Sequence, residues 1–227
     1  MSATPFYFRA VFARFDYFLA GLAVTMGVSV AALILSFFLG IGLALCRLSR
    51  RRWLRLGAMV YIDVFRNTPF LVQLFFFYFG LPEIGIYMDP ILTGVIALSL
   101  STATHNAEVL RAGLGAVEQG VVEAAQALAL SGYQAFRFVI LPIALRHALR
   151  PMGSVFINMV LTTSVLSTIT VDELMGNAMT VSAETFRPFE AYLLLLLLYC
   201  ALTFSLSAAL NVAYRLLDKP SGQVVLS

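Results

Sequence analysis

Two charged pairs and a cluster of hydrogen-bonding side chains stand out because they sit in otherwise apolar stretches. Glu108 and Arg111 are three residues apart, as are Asp63 and Arg66. That spacing puts both members of a pair on one helix face. Each pair either closes as a local structural ion pair or offers a charge to a gate, since an ionisable group in an apolar helix faces a bundle interior or water. His105 lies within another apolar run, as a packing residue or as a polar group on a pathway, and Asn106 beside it points to a different face. Asn158, Thr162 and Ser164 share a run with Thr163, Ser167 and Thr168. Hydroxyls of this kind pack membrane helices together; Asn158, Thr162 and Ser164 could equally replace water around the ammonium and carboxylate of a zwitterion. No catalytic set accompanies them. The histidines are His105 and His147 alone, with no His-Glu-x-x-His zinc motif and no Gly-x-Ser-x-Gly elbow.

The elements that must hold these residues follow from composition. Of 227 residues 60% are hydrophobic and 12% charged, and the mean hydropathy is +0.89. A soluble domain carries about 25% charged residues, so lipid must be the solvent for much of this chain. A helix crosses a bilayer with roughly 20 apolar residues. Five stretches meet or approach that length: 17–46, 56–81, 90–112, 152–172 and 190–215, the second interrupted by Asp63, Arg66, Asn67 and Pro69. An all-α integral membrane bundle of about five helices in one domain, 1–227, is expected. Bases collect after the first span (Arg47, Arg50, Arg51, Arg52, Arg55), after the third (Arg111, Arg137, Arg146, Arg150) and in the tail (Arg215, Lys219), against Glu118, Glu123 and Asp218. Acids dominate the other side, with Asp16, Glu83, Asp89, Asp172, Glu173, Glu184 and Glu190 against Arg9, Arg14 and Arg187. The positive-inside rule then places the N-terminus outside and the C-terminus in the cytoplasm. The sequence pI of 9.0 reflects these topology signals and gives no reason to expect nucleic acid. Cys46 and Cys200 form no motif, the first apolar run is too long for a signal-peptide core, and no internal repeat divides the chain into halves.

The longest cytoplasmic stretch, 113–151, has its own pattern. Val121–Ser131 is rich in alanine, leucine, glutamate and glutamine, all strong helix formers, and Gly132 is the expected stop. A short alanine-rich helix allows close approach to another surface but buries too little to stand alone. Tyr133, Phe136, Val139 and Ile140 recur at helical spacing before Leu141-Pro142, expected to break the chain, and Arg150-Pro151 is expected to hinge it back into the membrane. Asp172 and Glu173 read as an outer solvated loop, a gate, or a contact for a binding protein.

Glu123-Ala124-Ala125, Ser131-Gly132 and Ile140-Leu141-Pro142 together resemble the EAA loop of ATP-binding-cassette importer membrane subunits. Asp63-Val64-Phe65-Arg66-Asn67-Thr68-Pro69-Phe70-Leu71-Val72-Gln73-Leu74 resembles the second-span signature of the polar amino-acid permease branch. Ala107-Glu108 with Arg111-Ala112-Gly113, and Thr185 to Glu190, are similar to that branch's third-span ending and last-span lead-in. Three positions depart from the pattern: His105 for a common tyrosine, Val121 for a glutamine, and Ala129 for the motif glycine six residues after the glutamate. The resemblance implies a type I permease fold in a bacterial inner membrane, with a coupling helix seated on a separate ATPase. It also implies a second permease subunit, identical or paralogous, and an extracytoplasmic binding protein that delivers a polar amino acid. Glu123, Ala124, Ala125, Leu128, Ala129, Gly132 and Pro142 would carry the coupling contact.

A P-loop needs a lysine between glycine and serine or threonine. The sole lysine is Lys219, and Pro220 follows it. The chain is therefore expected to bind no cofactor, with ATP and Mg used by the partner. The rival readings are an ATP-independent transporter or channel subunit, a permease for another small solute, and an intramembrane enzyme or assembly factor.

Overall fold

The computed structural model describes residues 7–217, and all regular structure among them is helical. Asp218 and Lys219, counted above among the charges of the tail, lie outside the described residues.

A short α1 (Phe8–Phe12) precedes α2 (Phe15–Leu48), a 34-residue helix that contains the whole uncharged run 17–46. Beyond Phe18, its buried positions, Gly21, Thr25, Val28, Ser29, Ala32, Ser36, Gly40 and Ala44, lie on one helix face and are almost all small. Helices in lipid associate by backbone approach and van der Waals packing rather than by excluding water, which favours such a stripe. At Gly40 an added Cβ would lie 2.7 Å from Asn106 Cβ, so this glycine sets the spacing between α2 and its neighbour α5 (Pro90–Gly115). The outward face carries bulk instead: Phe38 is 67% exposed, and Phe204 on the last helix 75%. Such exposure is tolerable only where the surroundings are apolar.

The expected second span is not continuous. It divides into α3 (Arg52–Asn67) and α4 (Phe70–Phe75), and α4 runs on through a π turn and a 3₁₀ turn to Ile84. Pro69 supplies the reason, since it lacks an N–H and drives Thr68 into an extended conformation.

α5 packs against α2, α3, α4 and the later helix α8. It therefore meets protein on most sides, and its buried set includes Thr93, Ser99, Thr102, Thr104 and Asn106. At 26 residues it is about 39 Å long, enough to cross a bilayer without being strongly apolar.

After α6 (Gln119–Ala127) and a single turn, α7 (Gly132–Gln134), the chain enters a π segment over Ala135–Ile140. It then becomes α8 (Leu141–Thr162), which tightens to 3₁₀ over Thr163–Ile169. The expected break at Leu141-Pro142 and hinge at Arg150-Pro151 are therefore absent; residues 132–169 form one helical run with Pro151 inside it. Pro142 falls in the first turn of α8, where the preceding change of helical register accommodates its missing N–H.

Asp172 and Glu173, read foremost as a solvated loop, instead lead into α9 (Leu174–Thr185), whose Leu174, Ala178 and Val181 are fully buried with Val11, Phe18 and Ala191. α10 (Pro188–Leu217) is the last helix among the described residues and lies at the periphery of the bundle.

Candidate functional site

A cavity of about 500 Å³ opens between the start of α4, α5 and α8. His105, Asn158 and Thr162 line it, together with Ser101 and Thr102, which sequence reasoning did not single out. His105 Nδ1 lies 3.3 Å from the Ser101 carbonyl and 3.4 Å from Thr104 Oγ1. The Thr162 hydroxyl donates to the Asn158 carbonyl at 2.8 Å. Asn158 is exposed to the cavity, and its amide forms no hydrogen bond among the described residues.

Ser164 belongs elsewhere. It lines a separate groove with Tyr192 and Tyr199, and its hydroxyl donates to the Leu161 carbonyl. Thr163, Ser167 and Thr168 likewise donate to carbonyls three residues back. The hydroxyl-rich segment thus bonds its own tightened helix, as irregular backbone in lipid requires.

The break between α3 and α4 forms one wall, through Phe70. Its polar residues supply donors to several of the carbonyls at the break. Asn67 Nδ2 donates to Asp63 O and Thr68 Oγ1 to Val64 O, each at 2.8 Å, while Gln73 Nε2 donates to Phe65 O at 2.7 Å and Thr68 O at 2.8 Å. An unsatisfied carbonyl in hydrocarbon costs several kcal/mol, so Asn67, Thr68 and Gln73 make the break possible inside a membrane. Asp63 and Arg66, expected as a local ion pair, form none among the described residues, and Asp63 enters the network only through its backbone.

Glu108 is the charged node at the opposite end of α5 from Asp89. Arg111 reaches its carboxylate with Nε at 3.0 Å and Nη2 at 2.8 Å, and Arg47 from the end of α2 reaches the other oxygen at 2.8 Å. The i,i+3 pair is thus one half of a bridge between two helices, and Arg66 adds its positive field at a longer distance.

In the loop, α6 stops in a Schellman motif. Leu130 N–H bonds the Ala125 carbonyl and Ala129 N–H the Gln126 carbonyl. Ala129 takes the left-handed conformation (φ 55°), so the stop is at Ala129 rather than at the expected Gly132. Gly132 instead opens the next turn behind Ser131, whose side chain accepts from Gln134 N–H while Gln134 Oε1 accepts from Ser131 N–H. α6 packs on the π segment through Ala125, which is 2% exposed; Glu123, Ala124, Leu128 and Ala129 face outward. Leu128, Tyr133 and Phe138 are large, apolar and exposed beside them, and Pro142 is exposed as well.

Residues 32–220 match the family model described as "Binding-protein-dependent transport system inner membrane component". The chain belongs to that family. It is a multi-pass inner-membrane component of a transport system, and its relatives are permease subunits. It is 35% identical over 209 residues to "Probable glutamine ABC transporter permease protein GlnM" of Bacillus subtilis (strain 168), covering 92% of this chain and 97% of the relative. It is 32% identical over 215 residues to "Nopaline transport system permease protein NocM" of Agrobacterium fabrum (strain C58 / ATCC 33970), covering 90% and 89%. Among solved structures, "Crystal structure of an amino acid ABC transporter with histidines" superposes with a TM-score of 0.90 at 32% identity, over 93% of this chain and 99% of that one.

The permease has one further node that sequence reasoning placed in a solvated loop. Glu173 is fully buried and caps α9: Oε1 accepts from Gly176 N–H at 2.9 Å and Oε2 from Met175 N–H at 3.0 Å. Oε2 also accepts from the hydroxyls of Thr25 on α2 and Tyr199 on α10. Gly21 permits this approach, since a Cβ there would lie 2.9 Å from the Glu173 carbonyl oxygen. The sequence carried no strong signal for this cap, since glutamate is not among the preferred N-cap residues and Gly176 and Asn177 follow closely.

Proposed function

We propose that this permease forms the translocation path of an ATP-driven, binding-protein-dependent importer of polar amino acids. Its N-terminus lies outside and its C-terminus in the cytoplasm. Two ATPase subunits supply ATP hydrolysis with Mg, a second permease subunit completes the path, and an extracytoplasmic binding protein delivers the substrate. Glutamine, nopaline and cystine transport in the names of relatives supports the substrate class.

The observation that carries this reading is a physical connection. α6 packs on the π segment of a helical run that continues to Thr162, so α6 rests against the same element that carries Asn158 and Thr162 to the cavity wall. Movement of an ATPase against Glu123, Ala124 and Leu128 would be passed along that run to the cavity. His105, Asn158 and Thr162 present hydrogen-bonding groups suited to a zwitterion crossing an apolar bundle. The charge asymmetry supports the orientation: the Arg47–Glu108 bridge joins the ends of α2 and α5, and the α5 end meets the start of α8 at Gly113 and Ala144.

The test is co-purification with candidate ATPase subunits, then ATPase assays in liposomes with binding proteins loaded with a panel of amino acids. Glu123→Lys combined with Leu128→Asp should abolish ATPase association and transport while the permease still inserts and folds. Intact transport in that variant, or absence of any associated ATPase, sinks the reading.

A further inference from the structure

We propose that the arginine-rich turn between α2 and α3, together with the apolar groove beside it, binds an anionic phospholipid, with an acyl chain in the groove and the phosphate on the arginines. The groove has a volume of about 350 Å³ and lies between the end of α2, the end of α5 and the start of α8. Phe37, Leu45, Leu48, Leu114, Phe136 and Leu145 are among its lining residues, and no polar surface interrupts them. A wall of that kind suits a hydrocarbon chain and offers nothing to an amino acid or a nucleotide.

Charge complementarity identifies the other end of the occupant. Leu48 is the last residue of α2, and Arg50 and Arg51 follow within about 11 Å of extended chain. Arg52 and Arg55 occupy the first turn of α3. All four are exposed and have no carboxylate partner among the described residues, whereas Arg47 is turned inward to Glu108. A topology signal requires bases on this side but not an apolar groove at their feet. Trp53, within the same cluster, is 66% exposed, and an indole is favoured at the headgroup level of a bilayer. Juxtamembrane clusters of four or more bases attract anionic headgroups over zwitterionic ones. A free phosphate would leave the groove empty. A second copy seated here about a two-fold axis would set arginines against arginines.

Trp53 is the sole tryptophan of the chain and reports on this turn without any mutation. The full-length permease is reconstituted in phosphatidylcholine vesicles. Part of the lipid is replaced by chain-brominated phosphatidylglycerol or, in parallel, by chain-brominated phosphatidylcholine. The expected result is stronger quenching by the glycerol lipid, with about fivefold or greater relative association, weakened by salt and unaffected by inorganic phosphate. Leu45→Trp in a Trp53→Phe background should show the same preference from inside the groove. Arg50→Gln with Arg51→Gln should lose the preference yet keep the quenching by brominated phosphatidylcholine, which shows that the variant is folded in the bilayer. Equal quenching by both lipids overturns the proposal, as does a preference at Trp53 that is absent at Leu45→Trp. Displacement by inorganic phosphate, or loss of the preference when a cognate ATPase is added, assigns the arginines to a free anion or to a protein and overturns it too. The vesicles are symmetric, so the result depends neither on transport nor on which side is cytoplasmic.

Discussion

The hydroxyl of Tyr199 donates to Glu173 Oε2 at 3.1 Å, tying the body of α10 to the first residue ahead of α9. Thr25 strengthens the tie from the other side. Its hydroxyl donates to the same oxygen at 3.4 Å and accepts from Leu174 N–H at 3.1 Å. Three helices thus meet on one buried carboxyl group. Glu173→Ala leaves two amides and two hydroxyls without an acceptor, and buried donors stranded in this way cost about 1–3 kcal/mol each before relaxation. The expected outcome is a fall of several degrees in thermal unfolding in detergent. Tyr199→Phe, which removes one donor and strands nothing, should cost about 1 kcal/mol.

Ala129 should respond in the opposite direction. A non-glycine residue in the left-handed conformation carries a strain of about 1–2 kcal/mol that glycine does not. Ala129→Gly is therefore expected to stabilise the stop of α6, read as greater hydrogen-exchange protection of the Leu130 amide. Ala129→Val, with a branched side chain at φ 55°, should destabilise the loop and lower the yield of ATPase-bound complex.

Gln73→Leu preserves size and removes both donors to the helix break. The part-buried Phe65 and Thr68 carbonyls then lose their side-chain donor, at a cost of about 1–3 kcal/mol each. Thermal unfolding should shift clearly downward. Asp63→Asn should scarcely move it, because Asp63 contributes a carbonyl and no ion pair.

The cavity separates two residues that the sequence puts close together. Asn158→Ala should reduce amino-acid-dependent ATPase activity about five- to thirtyfold, the effect of losing 1–2 kcal/mol of hydrogen bonding. Ser164→Ala should leave it unchanged, since that hydroxyl bonds its own helix beside another groove. Equal losses in both variants would refute the assignment of the cavity as the path.

The membrane class and most helices were legible because lipid imposes long apolar runs that any reading of the residues detects. The helix break was half legible: Pro69 announced it, but the side chains that satisfy each carbonyl depend on a fold-back from Gln73, which lies on the next helix. Pro142 misled for a related reason. A proline ends a helix only if the register cannot adjust, and the π segment before it does adjust. Glu173 was read as solvated because a carboxylate beside Gly176 and Asn177 resembles a loop; only the arrival of Thr25 and Tyr199, far away in sequence, turns it into a buried cap. Ala129 was legible only as a departure from the motif glycine; that it is a point of strain needs a backbone angle.

The run 132–169 has a geometric consequence of its own. From Tyr133 to Thr162 it measures about 44 Å at helical rise, longer than the roughly 30 Å thickness of a bilayer's hydrocarbon. Pivoting such a rod by only about 5° sweeps its far end through about 4 Å. A long lever of this kind would turn a small tilt at the Tyr133 end into a displacement of ångströms at Thr162, beside the cavity.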